Sequence, residues 1–120
     1  MEKTKTHKDL DVWKKGMDLA TEIFKLTGSF PESEKYGLTS QLRRASVSVP
    51  SNIAEGAARN SNKEFIRFLY ISLGSLSEIE TQIELAKRFN YFQESEEIDK
   101  YLVRVRNMLF GLIKYLKDKS

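Results

Sequence analysis

Apolar residues recur along this chain at intervals of three and four, the spacing that lays one side of an α-helix against a core. From Leu10 to Gly28, Trp13, Met17, Ala20 and Phe24 form a stripe that Val12, Leu19 and Ile23 widen, opposite Lys14, Asp18, Glu22 and Lys25. Gly28 suits a helix stop and Pro31 blocks continuation. Aromatic residues at this spacing can line a ligand pocket, but core packing is the commoner use, and Trp13 and Phe24 are read as core. A second helix is expected from a Ser33 cap to Arg59, and a turn at Asn60 to Asn62 follows. Ser61 with Glu64 then fits a capping box that opens a third helix running to Arg88 or Phe89. Its main face carries Phe65, Phe68, Leu69, Ser72, Leu76, Ile79, Ile83 and Ala86. After a turn at Asn90 to Glu94, Ser95 caps a fourth helix with Ile98, Tyr101, Leu102, Val105, Leu109, Leu112, Ile113 and Leu116 inward. Short loops between four such helices predict an all-α, antiparallel up-down-up-down four-helix bundle. The expected core joins Trp13, Phe24, Leu42, Phe68, Leu76, Ile83, Leu102 and Leu109.

The run QLRRASVSVPSNIAEGAAR, Gln41 to Arg59, departs from this regularity. At about 100° per residue, Leu42, Ala45, Val49, Ile53 and Gly56 share one face, while Val47, Ala54 and Ala58 share the opposite one. A surface helix needs one apolar stripe, so the second, of small residues, predicts an oligomer interface at Val47, Ala54 and Ala58. Pro50 lacks an amide donor and crowds the Ser46 carbonyl, which predicts a kink or a restart there. Gly74 lies opposite the main stripe of the third helix, where a missing side chain permits close helix approach.

Length and composition add limits. At 120 residues the chain is one bundle domain over 10–120, with a basic flexible arm over 1–9. It contains no cysteine, so disulfides and thiolate metal sites are excluded. The opening MEKTKTHKDL lacks a following apolar run, and no apolar stretch approaches the ~20 residues of a membrane span, so the expectation is a soluble cytoplasmic protein. The net charge is only +3, yet it is segregated. Residues 43–67 carry five basic side chains against two acidic, 100–120 six against one, and 78–99 two against seven. Such blocks either build a basic surface for nucleic acid or let helices complement one another within or between subunits.

Catalytic chemistry finds no foothold. His7, the one histidine, sits in the arm without convergent partners. Glu78, Glu80 and Glu84 invite comparison with a carboxylate-bridged di-iron bundle, but that site needs Glu-x-x-His pairs, and no histidine follows position 7. Gly74 lacks the strand and the GK[ST] ending of a phosphate loop. No enzyme activity and no cofactor or metal are expected.

The run QLRRASVSVPSNIAEGAARNSNKEFIRFL, followed by GSLSEIETQIELA, resembles the four-helix bundle family of ribosomal RNA intervening-sequence proteins. The likeness spans roughly Leu10 to Leu116 and is strongest over Gln41 to Gly56 and Gly74 to Glu80. A related branch, the accessory protein of diversity-generating retroelements, is a basic pentamer that associates with a reverse transcriptase and its RNA. The resemblance implies a homo-oligomer, a pentamer by analogy, with RNA or a reverse transcriptase as possible partners, and no catalytic residues. The basic side chains expected to meet phosphate are Arg43, Arg59, Lys63, Arg67, Arg104 and Arg106, without reading bases. Arg43 and Arg44 have a competing structural use, with Glu55 or Glu78 as partners. The alternative function is an oligomeric protein scaffold that binds no nucleic acid.

Overall fold

A computed structural model describes residues 6–119. Four helices form: α1 (Asp11–Thr27), α2 (Leu38–Ala57), α3 (Asn62–Arg88) and α4 (Glu96–Lys119), with short 3-10 turns at His7–Asp9 and Glu32–Glu34. There is no strand among the described residues. Each helix packs on its two neighbours, α1 on α2 and α4, and α3 on α2 and α4, which closes an up-down-up-down bundle measuring 50 × 27 × 24 Å.

The core is a single cluster that takes Leu19 and Ile23 from α1, Leu42, Val49 and Ile53 from α2, Leu69, Leu76, Ile79 and Ile83 from α3, and Leu102, Val105 and Leu109 from α4. Expected core residues Leu42, Leu76, Ile83, Leu102 and Leu109 lie in this cluster, Phe68 is buried outside it, and Trp13 is half-buried against it. Phe24 is the correction: its side chain is 42% exposed, as is Met17 at 43%. The buried stripe of α1 is Val12, Gly16, Leu19, Ile23 and Thr27, rotated by about one residue, or 100°, from the aromatic stripe. Gly16 is where α1 meets α2, and a β-carbon there would stand in ordinary contact, 3.5 Å from Val49 Cγ1 and 3.6 Å from Pro50 Cβ.

The α2–α3 contact is the broadest in the bundle, and small residues set it. Ser72 Oγ donates to the Val49 carbonyl at 2.8 Å, and the Ser48 and Ser75 hydroxyls meet at 2.8 Å. Gly56 lies against Phe65 and Phe68. Pro50 neither breaks nor restarts α2, which runs through it as one helix with Pro50 buried against α1. The helix begins at Leu38, later than the Ser33 expected, because the Glu34 carboxylate, not the Ser33 hydroxyl, accepts from the Leu38 amide at 2.9 Å. At α3, Ser61 Oγ accepts from the Glu64 amide at 3.1 Å, but the Glu64 carboxylate pairs with Arg67, so only half of the expected box forms. The helix ends in a left-handed Asn90, φ 62°, with the Tyr91 amide donating to the Ala86 carbonyl, a Schellman closure. Ser95 caps α4 as expected, accepting from the Ile98 amide.

The expected arm is structured from Thr6 onward. Thr6 and Asp9 cap the 3-10 turn reciprocally, and the His7 ring meets Trp13 edge-on at 5.1 Å, so His7 has a packing role. Positions 1–5 of the arm lie outside the described residues.

Candidate functional site

The antiparallel order gathers segments far apart in sequence at two bundle ends. One end combines the α2–α3 turn with the last turns of α4 and the start of α1. Arg59, Lys63 and Arg67 project there, with Lys114, Lys117 and Lys119 of α4 and Lys8 of the first 3-10 turn, diluted by Asp9, Asp11, Glu55, Glu64 and Asp118. Lys117 Nζ donates to Tyr70 Oη at 3.1 Å, which ties the two basic segments together. The opposite end holds Glu32, Glu34, Glu94, Glu96, Glu97 and Asp99, diluted by Lys35, Lys87, Arg88 and Lys100. The alternating charge blocks of the sequence are thus a polarity along the bundle axis.

At the basic end, the Arg59 and Arg67 guanidiniums lie 4.8 and 5.1 Å from the Phe68 ring centroid. Buried Phe68 therefore orients both arginines while their heads stay in solvent. Each also pairs with a carboxylate one turn away, Arg59 with Glu55 and Arg67 with Glu64, both at 3.5 Å. Exposed pairs of this kind contribute little and exchange readily for a stronger anion. Lys63 makes no ion pair among the described residues. The Lys119 pKa is raised, first by a hydrogen bond with Tyr115.

The other basic residues go elsewhere. Arg43 Nε donates to Thr27 Oγ1 at 2.8 Å and Nη2 to the Phe24 carbonyl at 3.3 Å, with the guanidinium 4.7 Å from the Phe24 ring centroid. It ties α2 to the last turn of α1, where helix carbonyls favour a cation. Arg106 is engaged with Glu80 across the α3–α4 contact. Arg104 is exposed on the flank of α4, separate from the basic end. Spacing alone did not single out Lys114 and Lys117. Their membership follows from the antiparallel topology, which sets the end of α4 beside the start of α3.

A second feature lies between α1 and α2. The displaced aromatic stripe and the second face of α2 together wall an open apolar groove of about 690 Å³, lined by Trp13, Met17, Phe24, Val47, Pro50 and Ala54. Two of the expected interface residues, Val47 and Ala54, sit in it, and Val47 is 46% exposed. Ala58, also exposed, caps the helix end beyond the groove. Gly74 differs from expectation: among the described residues no other helix approaches within 4 Å of where its β-carbon would be. Among the described residues no cluster of acidic or histidine side chains could hold a metal ion, and no helix is long and apolar enough to cross a membrane.

The model of the family described as 23S rRNA-intervening sequence protein matches residues 8–111. No curated protein matches the sequence. Among solved structures, a protein of unknown function from the S23 ribosomal protein family of Bacteroides thetaiotaomicron VPI-5482 superposes with a TM-score of 0.76 at 27% identity. The match covers 86% of this chain and 98% of that one.

Proposed function

This chain belongs to the 23S rRNA-intervening sequence protein family, and from that premise we propose that it works without catalysis, as a bundle that assembles with copies of itself and holds RNA on its basic end. The observation that carries this reading is the convergence of Arg59, Lys63 and Arg67 with the α4 lysines, against an acidic far end. The side chains suit phosphate contact: two guanidiniums propped on Phe68 and an unpaired Lys63. Nothing in the cluster presents a stacked aromatic array for reading bases, so recognition is of backbone and shape. Arg43 and Arg106 are left to the fold by their existing partners, and Arg104 lies off the cluster. One copy offers few contacts. A symmetric assembly repeats the cluster, and the apolar α1–α2 groove supplies a surface for building it. Five copies is the number suggested by the resemblance, and a nucleic-acid enzyme such as a reverse transcriptase is the protein partner it suggests.

Arg59→Glu combined with Lys63→Glu tests the RNA contact. The double variant is expected to keep its assembly state while RNA affinity falls at least about tenfold at low salt and its dependence on salt becomes shallower, since fewer counterions are released. Unchanged affinity would remove the basic end from RNA binding. A wild-type protein that assembles but binds no RNA at low salt would leave the scaffold reading, which the groove favours independently.

A further inference from the structure

Away from the groove and the basic end, α2 and α3 part to leave a polar cleft of about 340 Å³, faced by Gln41, Arg44, Ser48, Ser75, Glu78 and Gln82. Three features of it are uncompensated. At its floor, Gln82 is only 9% exposed, and its Oε1 has no hydrogen-bond partner. A buried acceptor left alone is rare in a folded chain, where such groups are normally satisfied by protein, water or ligand. On the walls, Arg44 from α2 and Glu78 from α3 face the same space, yet neither forms an ion pair among the described residues. Between them, one of the Ser48 and Ser75 hydroxyls donates to the other at 2.8 Å, and Asn52 Nδ2 donates to Ser48 Oγ at 2.9 Å. The second serine proton has no acceptor among the described residues.

A cation on one wall, and a carboxylate and an amide oxygen on the other, call for a molecule that carries an anion and an N–H donor of its own. We propose that this cleft is a binding site for a small zwitterion of the amino-acid type. The fork of Arg44 receives the carboxylate in the two-bonded manner that guanidinium geometry favours. The ammonium group donates to Glu78 and to Gln82 Oε1, and the serine proton or the Gln41 amide completes the carboxylate's shell. These groups address the main-chain part of an amino acid, and the open mouth leaves its side chain toward solvent, so discrimination among side chains is weak. The inference stands apart from RNA binding, which uses the other residues.

The test is titration calorimetry of the whole protein with free glutamine and free arginine, beside agmatine, which is arginine without the carboxylate, and glutaramate, which is glutamine without the amine. The expected result is saturable one-site binding of the amino acids, weakened at least about tenfold when either charge is missing from the ligand, or by Arg44→Gln or Gln82→Leu. Gln82→Leu also removes the unpaired oxygen, so the unliganded variant is expected to melt at or above the wild-type temperature. Absence of binding overturns the proposal, as does binding that ignores both variants. Two structural outcomes would also overturn it. Loss of thermal stability in Gln82→Leu would show an ordered water satisfying the amide. Strong coupling between Arg44→Gln and Glu78→Gln in unliganded stability would show that the two charges close the cleft by pairing with each other.

Discussion

At Gly56 one added methyl group decides whether α2 and α3 can meet. A β-carbon there would stand 2.8 Å from Phe68 Cβ, 2.9 Å from Phe65 Cδ1 and 3.2 Å from the Phe65 carbonyl oxygen, and the first and last of these cannot swing away. Alanine gains about 1 kcal/mol of helix propensity over glycine, but overpacking a close contact costs about 1–3 kcal/mol or more. Gly56→Ala is therefore expected to lower stability in urea unfolding. At Gly16 the nearest atoms would be 3.5 Å away, an ordinary contact, so Gly16→Ala is expected to raise stability by up to about 1 kcal/mol in the same assay. The pair also shows what the sequence could reveal. Helical spacing places Gly56 on the core face, but it cannot show that Phe65 and Phe68 press against it. Gly16 misleads in the other direction. On α1, two stripes satisfy the same spacing, and the one with Trp13, Met17 and Phe24 holds the larger side chains. The buried stripe holds a glycine and a threonine, and it is buried because α2 and α4 pack on that side of α1, which spacing within α1 cannot show.

Between elements, the loop before α2 and the loop after α3 are joined by one hydrogen bond, Tyr91 Oη to Glu34 Oε2 at 2.6 Å. The phenol and the Leu38 amide both stabilise the ionised carboxylate, so the Glu34 pKa is lowered, and the same phenol bond holds the Tyr91 pKa up. A lowered acid contributes stability above its ordinary range and loses it as pH falls through the folded value. The raised phenol contributes below its ordinary range and loses that contribution as pH rises through its folded value. Tyr91→Phe keeps the ring contacts with Phe30 and Phe89 and removes only the hydroxyl. Its melting temperature is expected to fall furthest below wild type at neutral pH, with the gap narrowing in acid and in strong alkali. A gap independent of pH would assign the effect to packing. This joint was beyond sequence reading, because 57 residues separate its ends, and Ser33 was the conventional cap nearby. Starts and stops governed by local rules, at Ser61, Ser95 and the Asn90 turn, were legible because their chemistry lies within a few residues.

Over the whole molecule, charge was legible in blocks but not in space. The basic segments around α3's start and α4's end are over thirty residues apart, and antiparallel packing makes them one surface. The same packing exposes the groove, because the second apolar face of α2 and the displaced stripe of α1 turn outward side by side. Val47 was identified from spacing alone, whereas Met17 and Phe24 entered only when α1's phase was known. Val47→Asp is the substitution that separates an assembly surface from an idle one. Val47 is exposed on a single chain and absent from its core cluster, so a carboxylate there leaves the bundle's own packing intact. Seated against another copy, the same carboxylate would be buried without a partner, at a cost of several kcal/mol that would disfavour assembly. Sedimentation is expected to show the variant shifted toward a single chain with its helical circular dichroism retained. RNA affinity is expected to fall with it although no basic residue has changed, because separate copies lose the effective concentration that assembly gives to repeated weak sites. A variant that sediments like wild type would leave the groove outside the assembly, and a variant that comes apart while holding RNA as tightly would show that one basic end suffices.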